Sequence, residues 1–96
     1  MRLDKYLKVS RLVKRRPLAK QLCDAKRVMV NGKIVKPGVV IKVDDHIEIR
    51  YGNRVIEAKV TLLKEHVRKD EATTLYELIR QEKIEQVEKE FVDDGE

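Results

Sequence analysis

The sequence predicts an α+β domain in which two short N-terminal helices pack on a small, mostly antiparallel sheet, followed by a C-terminal helix. Three observations carry that prediction. Apolar residues recur at helical spacing towards both ends of the chain, a β-branched run is broken by Asn31-Gly32, and two later stretches alternate apolar with polar residues.

The opening MRLDKYLKVSR reads as a short helix, because Leu3 and Leu7 stand four apart and Tyr6 and Val9 extend the same side. Ser10 can cap or turn the chain into a basic linker. Pro17 suits the first turn of a second helix, where its fixed φ fits and its missing N–H costs nothing, so the helix is placed from about Pro17 to Ala25. Leu18, Leu22 and Ala25 share one face of it, and Arg16 and Lys20 stand four apart on another.

In RVMVNGKIV the Asn-Gly pair predicts a type I′ hairpin, since both central residues of that turn need positive φ. Pro37-Gly38 marks a further turn. Ile47, Ile49 and Tyr51 then alternate with His46, Glu48 and Arg50, as a half-buried strand requires. Gly52-Asn53 turns the chain, and Ile56, Ala58, Val60 and Leu62 form the next alternating strand. From Asp70, the spacing of Ala72, Leu75, Tyr76 and Ile79 predicts the final helix, with Asp70 and Glu71 placed well for its N-terminus. Residues 85–96 lose the pattern and carry six acids against Lys89, so an acidic, disordered tail is expected.

The formal net charge of +5 hides a segregation of sign. Residues 1–36 hold twelve Lys or Arg against Asp4 and Asp24, a balance of +10, whereas residues 70–96 balance at −7. Solubility alone does not require such a division; a polyanion-binding face does. The sharpest feature is RLVKRRPLAKQL, where Lys14, Arg15 and Arg16 precede Pro17. Cations at a helix entrance, already electropositive from unpaired amides, are unfavourable unless an anion is to arrive. Phosphate is the natural candidate.

Other chemistry finds little support. His46 and His66 lie in different elements and the lone Cys23 has no CxxC or CxxH partner, so no metal or cofactor site is expected. Asp44-Asp45 reads as a solvated turn rather than an acid–base pair. No Gly-rich loop feeds a helix, and catalysis is not expected. Cys23 alone can form no internal disulfide, no opening apolar run resembles a signal peptide and no segment approaches a membrane span. A cytoplasmic protein without membrane contact is therefore expected; a monomer is expected as well.

A nucleic-acid face needs cations converging from several elements. The candidates are Arg2 and Lys5 on the first helix, Arg11, Lys14, Arg15 and Arg16 in the linker, Lys20 on the second helix, and Arg27 and Lys33 at the helix exit and hairpin. The mixture of arginine forks and lysine point charges suits RNA. Aromatic residues make up 4% of the chain, which does not support a base-stacking platform, so Tyr6, Tyr51 and Tyr76 are assigned to the core edge. For Arg16 a competing role stays open: a pair with Asp4 or Asp24 that only ties the two helices together.

The stretch RLDKYLKVSRLVKRRPLAKQLCDAKRVMVNGKIVKPGVVI resembles the small RNA-binding domain named after small-subunit ribosomal protein four, with the RLDKYL opening, the basic segment and the VNG hairpin at that family's spacing. Two positions depart from its pattern. Lys26 stands where a glycine commonly ends the second helix, and Asp44 where one commonly precedes the aspartate of a turn, so both residues are expected to adopt backbone conformations that glycine tolerates better. Arg2 and Arg16 match strongly basic positions of the pattern. The segment VRKDEATTLYELIRQEK, residues 67–83, resembles the tail of stand-alone members of the RqcP type, which act in ribosome quality control and are related to a ribosome-associated heat-shock protein.

The resemblance implies an RNA-binding domain over residues 1–66, a helical extension over 67–84 and the acidic tail over 85–96. It also implies a non-enzymatic factor of the large ribosomal subunit that binds ribosomal RNA and peptidyl-tRNA. Such a factor supports an RqcH-type partner in adding C-terminal alanine tails to stalled chains. The alternatives are a heat-shock-type factor that recycles stalled large subunits and a module that binds a protein partner through its acidic tail.

Overall fold

A computed structural model of the chain describes residues 1–83; the expected acidic tail lies outside the described residues. Two helices, α1 (Leu3–Val9) and α2 (Arg16–Asp24), lead into strands β1 (Val28–Val30), β2 (Lys33–Ile34), β3 (His46–Tyr51) and β4 (Arg54–Val60). A 3₁₀ helix, Lys69–Leu75, and strand β5 (Tyr76–Lys83) complete the described chain. The strands make one antiparallel sheet in the order β2-β1-β3-β4-β5. The architecture is the α+β class that the sequence predicts.

The core lies between the helices and the sheet. Leu3, Tyr6 and Leu7 from α1, with Leu18, Ala19, Leu22 and Cys23 from α2, meet Val28, Ile47, Ile49, Val60 and Leu75. Tyr6 is deeper than the core edge: its ring is fully buried and its hydroxyl donates to the Leu75 carbonyl at 2.7 Å. That bond satisfies a polar tip which burial would otherwise penalise. Cys23 is the small buried group its position indicates. Burial, reinforced by the charges of Asp24 and Asp4, pushes its thiol up to about 11, which leaves it protonated and a poor nucleophile at neutral pH.

Both helices end through a residue in the left-handed region, Arg11 (φ 62°) after α1 and Lys26 (φ 63°) after α2. At α2 the N–H of Lys26 bonds the Cys23 carbonyl (3.0 Å) and the N–H of Arg27 bonds the Leu22 carbonyl (2.8 Å), a Schellman arrangement without its usual glycine. The hairpin is as the Asn-Gly pair demands, with φ of 53° at Asn31 and 80° at Gly32 and Val30 facing Lys33. Asn31 also ties this turn to β3. Its Oδ1 accepts from the His46 N–H at 2.9 Å and its Nδ2 donates to Asp45 Oδ1 at 3.0 Å. Asp45 in turn accepts the Lys42 N–H at 2.8 Å, so the Asp44-Asp45 pair is turn chemistry, with Asp44 at φ 77°.

The last element corrects the sequence reading. A continuous helix from Asp70 and a helical extension over 67–84 are not what the described residues form. The chain makes one short 3₁₀ segment, whose Ala72 and Leu75 are buried three residues apart, and then turns into β5. Strand β5 pairs with β4 over its length, from Val60↔Tyr76 to Arg54↔Lys83. A bulge hides the strand's period: Ala58 faces Leu78 while Glu57 faces Arg80, so Ile79 is the extra residue. One inserted residue turns alternation into a spacing that imitates a helix face. Pairing with the open edge of β4 overrides the helical preference of YELIRQEK, whose Glu, Leu, Arg, Gln and Lys are good helix formers.

The strained cap yields a stability prediction. A non-glycine residue in the left-handed region costs roughly 1–2 kcal/mol, offset in part by glycine's greater chain entropy. Lys26→Gly should therefore stabilise the fold by about 0.5–1 kcal/mol, a rise of roughly 2–8 °C in Tm for a domain of this size. Asp44→Gly should act in the same direction but less, because aspartate tolerates this region better. Thermal melts check both, and a lower Tm for Lys26→Gly would contradict the assignment of strain.

Candidate nucleic-acid interface

Helix α1 begins with its first amides already committed. The N–H of Leu3 donates to the Val39 carbonyl (2.8 Å), that of Asp4 to the Pro37 carbonyl (3.0 Å), and Ile41 returns a bond to the Met1 carbonyl (3.0 Å). Arg2 bridges Val40 in antiparallel fashion. The N-terminal segment and the 37–41 loop thus lie against each other, which sets the direction of Arg2 and sinks Asp4 into the protein.

Asp4 is fully buried and is the centre of the site. Its Oδ1 accepts the Lys5 backbone N–H at 2.9 Å and Arg2 Nε at 3.2 Å, and its Oδ2 accepts Arg2 Nη2 at 3.3 Å. Arg16, arriving from the start of α2, places Nη2 3.5 Å from Oδ1 and Nε 3.3 Å from Oδ2. The Arg16 Nε–H is buried and has no aligned acceptor among the described residues, so this contact is an ion pair held at an angle. Burial pushes the Asp4 carboxyl upward. The Arg16 hydrogen bond and charge, the Lys5 amide and the Arg2 charge more than offset it, and the group lies below its ordinary value of 3.8.

The arginines are not consumed by this pairing. Their side chains remain 51% exposed at Arg2 and 42% at Arg16, and each guanidinium keeps part of its set of five donors for a second anion. Pro17 lies in the first turn of α2, no acid stands there, and no side chain caps it. The pair between Arg16 and Asp4 does tie the helices together. The same pair also points both forks at one surface.

The remaining candidates are distributed around this centre. Arg11, Lys14 and Arg15 are exposed in the linker that joins α1 to α2, and Lys20 is exposed one turn beyond Arg16. Lys5 is turned to an ion pair with Glu65, which lowers the Glu65 carboxyl. Arg27 lies past the far end of α2, about 13 Å along the helix axis from Arg16, and Lys33 is exposed on β2. So Arg2 and Arg16 are brought together on Asp4, and Arg27 lies beyond the far end of α2 from Arg16. Among the described residues no group of His, Cys, Asp and Glu could hold a metal ion, and no helix is long and apolar enough to cross a membrane.

A family model described as the S4 domain matches residues 1–47, which hold α1, α2, the hairpin and the Asp4 centre. Over 88 residues, 92% of this chain and 100% of the relative, the sequence is 51% identical to an RQC P-site tRNA stabilizing factor of Halalkalibacterium halodurans. The chain belongs to the family of RQC P-site tRNA stabilizing factors. The family is related to a heat-shock group: Heat shock protein 15 of Escherichia coli is 34% identical over 93% of this chain and 65% of its own length. The solved structure of Vibrio cholerae Heat Shock Protein 15, described as trimeric, matches with a TM-score of 0.77 at 29% identity, over 82% of this chain and 81% of that one.

The lowered carboxyl of Asp4 gives a pH prediction. A carboxyl whose folded value lies below its unfolded one contributes stability above the unfolded value and loses it as pH falls through the folded one. Asp4→Asn should lower stability by about 1–3 kcal/mol at pH 7. The gap to the unsubstituted protein should close as the pH falls below 3.8. Urea denaturation from pH 7 to pH 2.5 measures it; a gap that does not change with pH would contradict an ionised, paired Asp4.

Proposed function

We propose that this protein is a non-enzymatic RNA-binding factor of the large ribosomal subunit that acts in ribosome-associated quality control. In this reading it grips ribosomal RNA and peptidyl-tRNA and supports an RqcH-type partner that adds C-terminal alanine tails to stalled nascent chains. The observation that carries the reading is the convergence of Arg2 and Arg16, from two helices, on one buried carboxylate, with both forks half-exposed in the basic part of the chain. The family's name, which speaks of stabilising P-site tRNA, supports the choice of ligand. The heat-shock reading, recycling without tailing, is less favoured because identity falls from 51% to 34% and the match to that relative covers 65% of its length.

Mechanistically, the role is positional. A phosphate arriving between the two guanidinium groups meets donors whose direction Asp4 has already set, so little side-chain entropy is lost on binding. Lys14, Arg15 and Lys20 add longer-range attraction, and tRNA held in this way stays aligned for a partner that performs the chemistry.

Arg16→Ala and Arg2→Ala should each weaken binding to large subunits by about 10- to 150-fold, as removal of one charge-assisted hydrogen bond to phosphate would. Each variant should still fold. Co-sedimentation with purified subunits, beside a melting curve, checks this, and a folded variant that co-sediments fully would overturn the reading. In cells, the same variants should lose alanine tails on stalled chains; tails that persist while recycling fails would favour the heat-shock role.

Salt provides a separate check. If about six phosphates are neutralised, log affinity should fall against log salt with a slope near −4 to −5. Affinity that stays flat from low to moderate salt would remove the phosphate argument.

A further inference from the structure

We infer that the open depression beside Arg2, lined by Asp24, Val35, Lys36, Pro37, Gly38 and Val39, takes an unstacked RNA base and selects guanine through Asp24. This rests on the RNA-binding reading above and adds to it the element that reads sequence. Asp24 is one of the two acids in the first 36 residues, and Asp4 is the other. Asp4 is accounted for by its arginines. Asp24 is exposed at the rim of the depression. It is also the last residue of α2, where the helix dipole disfavours an acid, and no basic residue in that turn offsets it. An acid that helps neither the helix nor phosphate binding is placed for something else.

The surroundings indicate what. Val35, Pro37 and Val39 are half-buried and give the depression, about 620 Å³, apolar walls. Gly38 belongs both to this depression and to the arginine site. The Arg2 guanidinium lies over it, with Nη2, Cζ and Nε at 3.4, 3.6 and 3.8 Å from where a Gly38 side chain would begin. A nucleotide whose phosphate meets Arg2 therefore has its base next to an apolar recess with a carboxylate at its rim. Splayed bases are read in this manner, stacked on apolar or guanidinium surfaces and bonded along their edges.

A carboxylate only accepts hydrogen bonds. Guanine alone among the four bases presents two adjacent donors, N1–H and the N2 amino group, that fit its two oxygens. Adenine and cytosine set one amino donor beside a ring acceptor, which the carboxylate repels, and uracil sets its one donor between two carbonyls. The choice of guanine follows from that pattern.

The test measures anisotropy of labelled RNA hexamers of uridine at low salt, with a central guanosine, inosine, adenosine or no purine. The guanosine hexamer should bind about tenfold tighter than the all-uridine one, the discrimination typical of a bidentate pair. Inosine, which lacks the N2 amino group, should fall between. Asp24→Asn should erase the preference, leave the all-uridine hexamer bound at least as tightly, and melt no lower than the unsubstituted protein. Equal affinity for all hexamers, binding to none, or a preference that survives Asp24→Asn would overturn the base site. Arg16→Ala separates this from the reading beneath it. If it weakens subunit binding while the hexamers show no preference, only the base site fails; if it weakens neither, the RNA-face reading itself fails.

Discussion

A buried carboxylate must be compensated, and the way Asp4 is compensated organises this molecule. Ionised and fully buried, it would be costly to keep without partners. Arg2 reaches it from before α1 and Arg16 from the start of α2, and the Lys5 amide completes its shell. The segments that carry these partners are thereby fixed relative to one another. The 37–41 loop holds the backbone on either side of Arg2, so the geometry is shared among three parts of the chain.

The arrangement resolves a conflict in the basic half. Two arginines close together repel, and Arg16 stands at a helix start that is itself electropositive. A single buried negative charge lets them coexist without neutralising the surface. Because Asp4 is internal, solvent on that face meets guanidinium groups and not the acid. The Arg16 Nε is buried against Asp4, but the side chain as a whole stays 42% exposed, so part of the guanidinium faces solvent in the free protein. Local pairing and phosphate capture are therefore compatible roles for the same side chain.

What could be read from the sequence was what depends on neighbours in sequence. The Asn31-Gly32 hairpin, the alternation of β3 and the apolar faces of α1 and α2 are short-range signals that appear where they were expected, with one exception. Ala25, placed on the α2 face, is exposed past the helix end, and Ala19 and Cys23 are buried beside Leu18 and Leu22 instead. Lys26 and Asp44, standing in for glycine, do take positive φ, the conformation that their departure from the family pattern implied. Strand β5 was illegible because Ile79 is a bulge residue that breaks the period of two, and because its partner is β4, reached through the irregular segment after Val60. The centre at Asp4 was illegible for a related reason. Arg16 is twelve residues away, and only the packing of α1 on α2 decides that it pairs with Asp4 and not with Asp24. Charge counting pointed to the basic front of the chain; it could not single out Asp4 as the acid that Arg2 and Arg16 share.

The most direct measurement of this account is the affinity of folded Asp4→Asn for large ribosomal subunits. The substitution removes a negative charge and raises the formal net charge from +5 to +6. If binding depended on charge alone, the variant would bind more tightly. If Asp4 works by aiming Arg2 and Arg16, its removal lets both forks drift and binding weakens despite the added charge. The account predicts binding about tenfold weaker, the worth of roughly one charge-assisted hydrogen bond. A folded variant that binds as tightly as the unsubstituted protein, or more tightly, would contradict it.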